Sequence, residues 1–157
     1  MPAVPGYFEA MRTVCDKYGA LLVFDEVMSG MGRCGTLHAW EQEGVVPDIQ
    51  TIGKGLGAGY APVAGLLISA KVINVLDKGT GAFSHGQTYQ GHPIACAGAL
   101  EVQRVIREEK LVDNVVAMGK ILERGLRKRL GDHPNVGDIR GKGLFWGVSD
   151  ACCNSWR

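Results

Sequence analysis

Apolar positions near the start of the chain recur at helical spacing. Phe8, Met11, Cys15 and Tyr18 stand 3, 4 and 3 residues apart, behind Pro5-Gly6 and ahead of Gly19. That period gathers them on one stripe, and Gly19 sits where a helix C-cap belongs, so the pattern predicts an amphipathic helix. Residues 20–24 (Ala-Leu-Leu-Val-Phe) are apolar without alternation. A continuous run of this length is expected of a parallel strand buried on both faces, here capped by the carboxylates Asp25-Glu26. Further strands are predicted over 49–53 and 63–68, with short helices over 37–43 and 71–76. Glycine loops at 30–35 and 55–59 separate these elements. Strands, loops and helices interleave as in an α/β sheet.

The second half reads differently. Pro93 opens a helix running to about 109, and Leu111, Val115, Met118, Leu122, Leu126 and Leu130 follow at spacings of 4, 3, 4, 4 and 4 in a second. Segments 136–140 and 144–148 flank Gly141-Lys142-Gly143, which suits a β-hairpin. The tail from 149 to 157 carries no pattern, and the chain has no internal repeat.

Composition narrows the functional classes. The 157 residues, 46% apolar and 21% charged, suit one globular domain, and the formal net charge of +1 lacks the basic surplus that nucleic acid demands. No nucleic-acid partner is expected. No apolar run approaches the ~20 residues of a membrane span, and the first residues form neither a basic n-region nor an apolar h-region. The expectation is a soluble, intracellular chain, cytoplasmic or mitochondrial. Cys15, Cys34, Cys96, Cys152 and Cys153 include no C-x-x-C pair, so reduced and mostly buried thiols are expected, with no metal site. His38, His85, His92 and His133 are scattered and read as loop or surface residues. Glycine is the outlier, 23 residues, roughly twice the average usage.

Ligands of open α/β sheets bind beyond the carboxyl ends of the strands, and there the sequence puts Asp25 and Lys54. Lys54 stands among Gly53, Gly55, Gly57 and Gly59, so a ligand can approach its backbone closely. Lysine amines become nucleophilic when deprotonated, and desolvation at a strand end favours that form. A structural ion pair and a solvated loop lysine satisfy the same placement. Two nucleotide readings compete. A P-loop is excluded because no G-x-x-x-x-G-K-[ST] occurs. Gly30-Met31-Gly32-Arg33-Cys34-Gly35 matches G-x-G-x-x-G, which keeps a nucleotide- or dinucleotide-binding α/β module as the alternative, although the long helix that should follow is missing.

The residues themselves resemble a family. Leu21 to Val27, then Gly30 to Gly35, then Pro47-Asp48-Ile49 leading to Thr51-Ile52-Gly53-Lys54-Gly55, are similar to class III pyridoxal-phosphate aminotransferases of fold type I. His85 to Pro93 resembles a later loop of that family, with Gly-His-Pro as in its ω-amino-acid branch, and Gly137 to Leu144 resembles the start of its small domain. The resemblance implies an α/β fold: the central, mostly parallel part of a cofactor-binding large domain over 1–92, connecting helices over 93–130, and the start of a small α+β domain over 131–157.

The resemblance also implies roles. Lys54 would form the Schiff base with pyridoxal 5'-phosphate and shuttle the substrate proton, Asp25 would bind the pyridine nitrogen and keep it protonated, and Val27 would pack on the ring. Thr88 would hydrogen-bond the cofactor phosphate of a neighbouring subunit, implying a homodimer. The implied reaction moves an amino group from a primary amine or ω-amino acid to a 2-oxo acid. Met28, Cys34 and Gln87 depart from the residues common in the family. Its phosphate loop, ring-stacking aromatic and far substrate arginine are not in this sequence, so an incomplete chain, inactive alone, is expected. Arg33 reads equally as a substrate-carboxylate ligand or a structural loop residue.

Overall fold

The structure is a computed structural model, described over residues 2–151. Helix α1 (Tyr7–Tyr18) precedes strand β1 (Val23–Asp25), and a 3-10 turn (Ala39–Gln42) leads to β2 (Ile49–Ile52). A second 3-10 turn (Lys54–Leu56) then connects to β3 (Gly65–Ile68) and α2 (Ala70–Lys78). Helices α3 (Pro93–Glu108) and α4 (Leu111–Leu130) lead to the hairpin β4 (Val136–Lys142) and β5 (Phe145–Asp150). Residues 152–157, with Cys152 and Cys153, lie outside the described residues.

The main sheet has the order β1-β2-β3, and β2 is central. β1 runs parallel to β2, with Val23 opposite Ile49 and Asp25 opposite Thr51, whereas β3 runs antiparallel to β2. The antiparallel turn follows from a short connection. Residues 53–64 are spent on a 3-10 turn and tight glycine turns, too few to carry a helical crossover.

A small core fixes α1 against this sheet, built from Cys15, Leu22, Phe24 and Val45 with Phe8 and Trp40 packed on it. Phe8 and Phe24 meet edge to face at 4.9 Å between centroids. Arg12 on α1 donates to Asp48 at 2.8 Å, and the same carboxylate oxygen accepts the Leu22 N–H at 2.8 Å, tying helix, strand and the entry to β2 at one point. Tyr18, placed on the predicted apolar stripe, is exposed, with Lys17 Nζ over its ring. It lies in the last turn, past the end of the core it was expected to join.

The apolar run before Asp25 does not become a strand buried on both faces. Leu22, Phe24 and Glu26 are buried while Leu21, Val23 and Asp25 are exposed, Val23 by 53%. The described residues cover one face of β1 and leave the other open.

Backbone meets backbone where the hairpin docks. Leu144 N–H donates to Arg33 C=O at 3.0 Å, and Lys142 pairs with Glu43. Gly143 sits at φ +55 against Cys34, and Gly119 of α4 lies against the Gly143 carbonyl so closely that a Cβ there would come within 2.4 Å of it. Val112 and Val116 of α4 rest on Gly32 and Gly35 of the glycine loop. The hairpin turn falls at 143–144, later than the predicted 141–143, and both strands are longer than predicted.

Candidate active site

Asp25 ends β1, on the open face. Its Oδ1 accepts two hydrogen bonds, from the Val27 N–H and from Thr51 Oγ1, each 3.0 Å. Oδ2 accepts none from the described residues. The Val27 N–H, the Thr51 hydroxyl and the nearby Lys54 ammonium hold the Asp25 carboxyl below its usual value, against the smaller opposing effect of desolvation. Asp25 is therefore an ionised acceptor with one oxygen to offer.

Lys54 follows β2, three residues beyond the Thr51 that grips Asp25, and the parallel register carries both side chains to the same end of the sheet. Its backbone occupies the left-handed region, φ +43, which costs a non-glycine residue roughly 1 kcal/mol. The geometry is held by the turn it starts: Lys54 C=O accepts from Gly57 N–H at 3.2 Å and from Ala58 N–H at 2.9 Å, and Gly53 C=O accepts from Leu56 N–H at 2.9 Å. Lys54 is exposed, so the described residues do not supply the desolvation expected at the strand end. Val27 lies across Gly53, within 3.4 Å of where a Cβ would stand, and Met31 covers Gly55. Asp25, Val27, Thr51 and Lys54 thus share one surface.

Glu26, one residue on, belongs to a different system. It is 4% exposed. Its carboxylate accepts the backbone N–H groups of Ala39 and Trp40 at 2.8 and 2.7 Å and the Gln50 amide at 3.0 Å. Gln50 also accepts from Trp40 Nε1 at 3.0 Å and lies 2.9 Å from His38 Nδ1. This arrangement disposes of the dinucleotide reading. The free N–H groups that a pyrophosphate would need after Gly35 head a four-residue 3-10 turn, and Glu26 already occupies them. His38 lies in the loop ahead of the 39–42 turn, as expected, and is half-buried in this network, stacked on Trp40.

The remaining candidates are dispersed. Thr88 lies in the exposed segment 81–92 ahead of α3. Arg33 is exposed, and its carbonyl anchors the hairpin. Cys15 and Cys34 are buried free thiols, but Cys96 is exposed, because the α3 face that carries it is uncovered. A cleft of about 400 Å³ between β1 and the hairpin is lined by Asp25, Trp40, Arg140, Lys142 and Phe145, and Lys54 is not part of its wall. Thr51 was not foreseen as a site residue. Its signal was its position opposite Asp25 in the parallel register, which the sequence does not print.

The aminotransferase class-III family model matches residues 1–152. The chain belongs to the class-III aminotransferases. An aminotransferase of Gibberella zeae is 62% identical over 148 residues, 94% of this chain and 29% of that protein. The 5-aminovalerate aminotransferase of Pseudomonas aeruginosa is 42% identical over 137 residues, 87% of this chain and 31% of that protein. Among solved structures, an (S)-enantioselective ω-transaminase from Thermomicrobium roseum superimposes with a TM-score of 0.86 at 45% identity, covering 92% of this chain and 32% of that one. A taurine:2-oxoglutarate aminotransferase from Bifidobacterium kashiwanohense, solved with pyridoxal phosphate and glutamate, gives 0.86 at 36% identity over 91% of this chain and 32% of that one. The chain spans about a third of the length of these relatives. No helix among the described residues is long and apolar enough to cross a membrane.

Proposed function

We propose that the complete protein containing this segment is a pyridoxal-phosphate-dependent transaminase that moves an amino group from a primary amine or ω-amino acid to a 2-oxo acid. The observation that carries this is the pairing of an ionised Asp25, with Oδ2 free of hydrogen bonds from the described residues, and the Lys54 amine at the same end of two parallel strands. That donor set fits the cofactor, because a ring nitrogen needs a carboxylate oxygen and an aldehyde needs an amine. Relatives named for 5-aminovalerate and taurine support an ω-amino donor.

Bound pyridoxal phosphate supplies the electron sink for the substrate carbon. Asp25 would hold the ring nitrogen and, being ionised, would favour its protonated form. Lys54 would hold the cofactor through Nζ and would serve as the amine that takes and returns the substrate proton. Val27 packs on the ring face. Thr88 serves the phosphate bound in a partner subunit, which makes the protein a homodimer. Residues 1–92 then belong to the large domain, 93–130 connect, and 131–157 begin the small domain. The free Cys15, Cys34 and Cys96 suit an intracellular setting, cytoplasmic or mitochondrial.

Borohydride reduction of the complete protein with pyridoxal phosphate, followed by peptide mapping, tests the reading. The adduct is expected on Lys54. An adduct on Lys71 or Lys78 overturns it.

A further inference from the structure

We infer that Thr51 is a positioning residue that decides which oxygen of Asp25 faces the bound cofactor. The inference rests on the assignment of Asp25 and Lys54 above and goes beyond it. Thr51 sits opposite Asp25 in the parallel register. It grips β1 twice, accepting the Glu26 N–H on its carbonyl at 3.0 Å and donating from Oγ1 to Asp25 Oδ1 at 3.0 Å. The Val27 N–H reaches the same oxygen, also at 3.0 Å.

A carboxylate offers about four acceptor positions on two oxygens. With one donor, the group can turn about its terminal torsion, which is soft. With donors arriving on Oδ1 from two directions, from the next turn of its own chain and from the neighbouring strand, the plane is fixed and Oδ2 is left outward. Of these two donors only Thr51 is a side chain, so only Thr51 can be removed without altering the backbone.

Thr51 is itself well held. β-Branching restricts its χ1. Its neighbour Gln50 points to the opposite face of β2, where it is 3% exposed and bonded to Glu26 and Trp40. Strand alternation therefore converts the buried Gln50 anchor into a fixed direction for the Thr51 hydroxyl. The hydroxyl has a second effect of the same sign, since a hydrogen bond to the ionised carboxylate favours that form and so favours a protonated ring nitrogen beside it.

The test uses the complete protein with Thr51→Val, Thr51→Ala and Thr51→Ser, each loaded with pyridoxal phosphate labelled with ¹⁵N in the ring. The readouts are the ring-nitrogen shift against pH, kcat and the borohydride adduct. Thr51→Val and Thr51→Ala are expected to lose the ring proton at lower pH than the unsubstituted protein and to lower kcat roughly tenfold, the scale of one hydrogen bond to a charged group. Thr51→Ser is expected to restore both, which a merely structural role would not require. Unchanged ring titration and kcat in Val and Ala, with the adduct still on Lys54, overturn this inference alone, and so does a serine variant that behaves like valine. Absence of a Lys54 adduct in the unsubstituted protein overturns the functional reading and this inference with it.

Discussion

Asp25 and Glu26 are chain neighbours that face opposite sides of the sheet. Asp25 stands on the open surface with Thr51 and Lys54, and Glu26 is sealed beneath the turn at 39–42, where it accepts three hydrogen bonds. Two identical charges are thereby given separate tasks by strand alternation alone. One faces the open surface. The other holds the loop that carries Met31 over Gly55.

Substitution should separate these tasks. Glu26→Ala strands the Ala39 and Trp40 N–H groups in a buried site and is expected to destabilise the complete protein by about 2–4 kcal/mol, the cost of unpaired buried donors. Asp25→Ala should leave the urea midpoint close to that of the unsubstituted protein. Equal midpoints for the two variants would contradict the division.

Activity should show the reverse order. Asp25→Asn keeps the shape but not the charge, so cofactor is expected to bind while kcat falls by roughly 10²–10³-fold, the scale of one preorganised electrostatic contact. Steady-state kinetics beside a cofactor-binding titration measures both. Turnover near that of the unsubstituted protein would make Asp25 structural only.

Asp48 predicts an acid-dependent loss of stability. Burial pushes its carboxyl up, but the Leu22 N–H, Arg12 and Lys71 together outweigh that and hold it below the usual range. Because the folded value lies below the unfolded one, the contribution is complete above the ordinary carboxylate value and is lost as pH falls through the lower folded value. Urea midpoints of Asp48→Asn should therefore vary less than those of the unsubstituted protein between about pH 5 and pH 2. The variant should also be less stable at neutral pH, by about 2 kcal/mol. Parallel curves would rule this out.

Two glycines of α4 should respond with opposite sign. A Cβ on Gly119 would lie 2.4 Å from the Gly143 carbonyl, whereas Gly125 has nothing within 4 Å. Gly119→Ala is expected to destabilise by about 1–3 kcal/mol through overpacking. Gly125→Ala should stabilise by roughly 0.5–1 kcal/mol through helix propensity. Thermal unfolding of both variants decides it.

The 157-residue chain alone should fail as a transaminase. Leu21 just ahead of β1, Val23 on β1, and Leu66 and Leu67 on β3 are exposed apolar side chains, a surface that favours association over catalysis. Titration with pyridoxal phosphate and a half-reaction assay with an ω-amino acid should show no turnover. Stoichiometric binding with turnover would refute this.

Much of this architecture could be read in the chain. The leucine stripe of α4 and Pro93 at the start of α3 define those helices by local rules, and their ends agree closely with the structure. The placement of Asp25 and Lys54 at the ends of β1 and β2 was legible from the apolar runs that precede them. What remained hidden depends on pairing between distant segments. An unbroken apolar run such as 20–24 conceals which alternate residues are covered, so the exposure of Val23 and the separation of Asp25 from Glu26 could not be read. The Thr51 hydroxyl becomes significant only once β1 and β2 are in register. Which cysteine stays exposed was equally hidden, since Cys96 lies on a side of α3 that the described residues leave uncovered.

The contact at Gly119, Gly143 and Cys34 contains no side chain at its closest points. Interfaces built from side chains yield by changing rotamers, whereas here carbonyls and α-carbons abut and can only be displaced together. The hairpin is seated directly on the peptide at 33–35. That peptide leads back within a few residues to Met31, which rests on the glycine beside Lys54. The glycine loop at 30–35 thus touches the hairpin at one end and the lysine turn at the other.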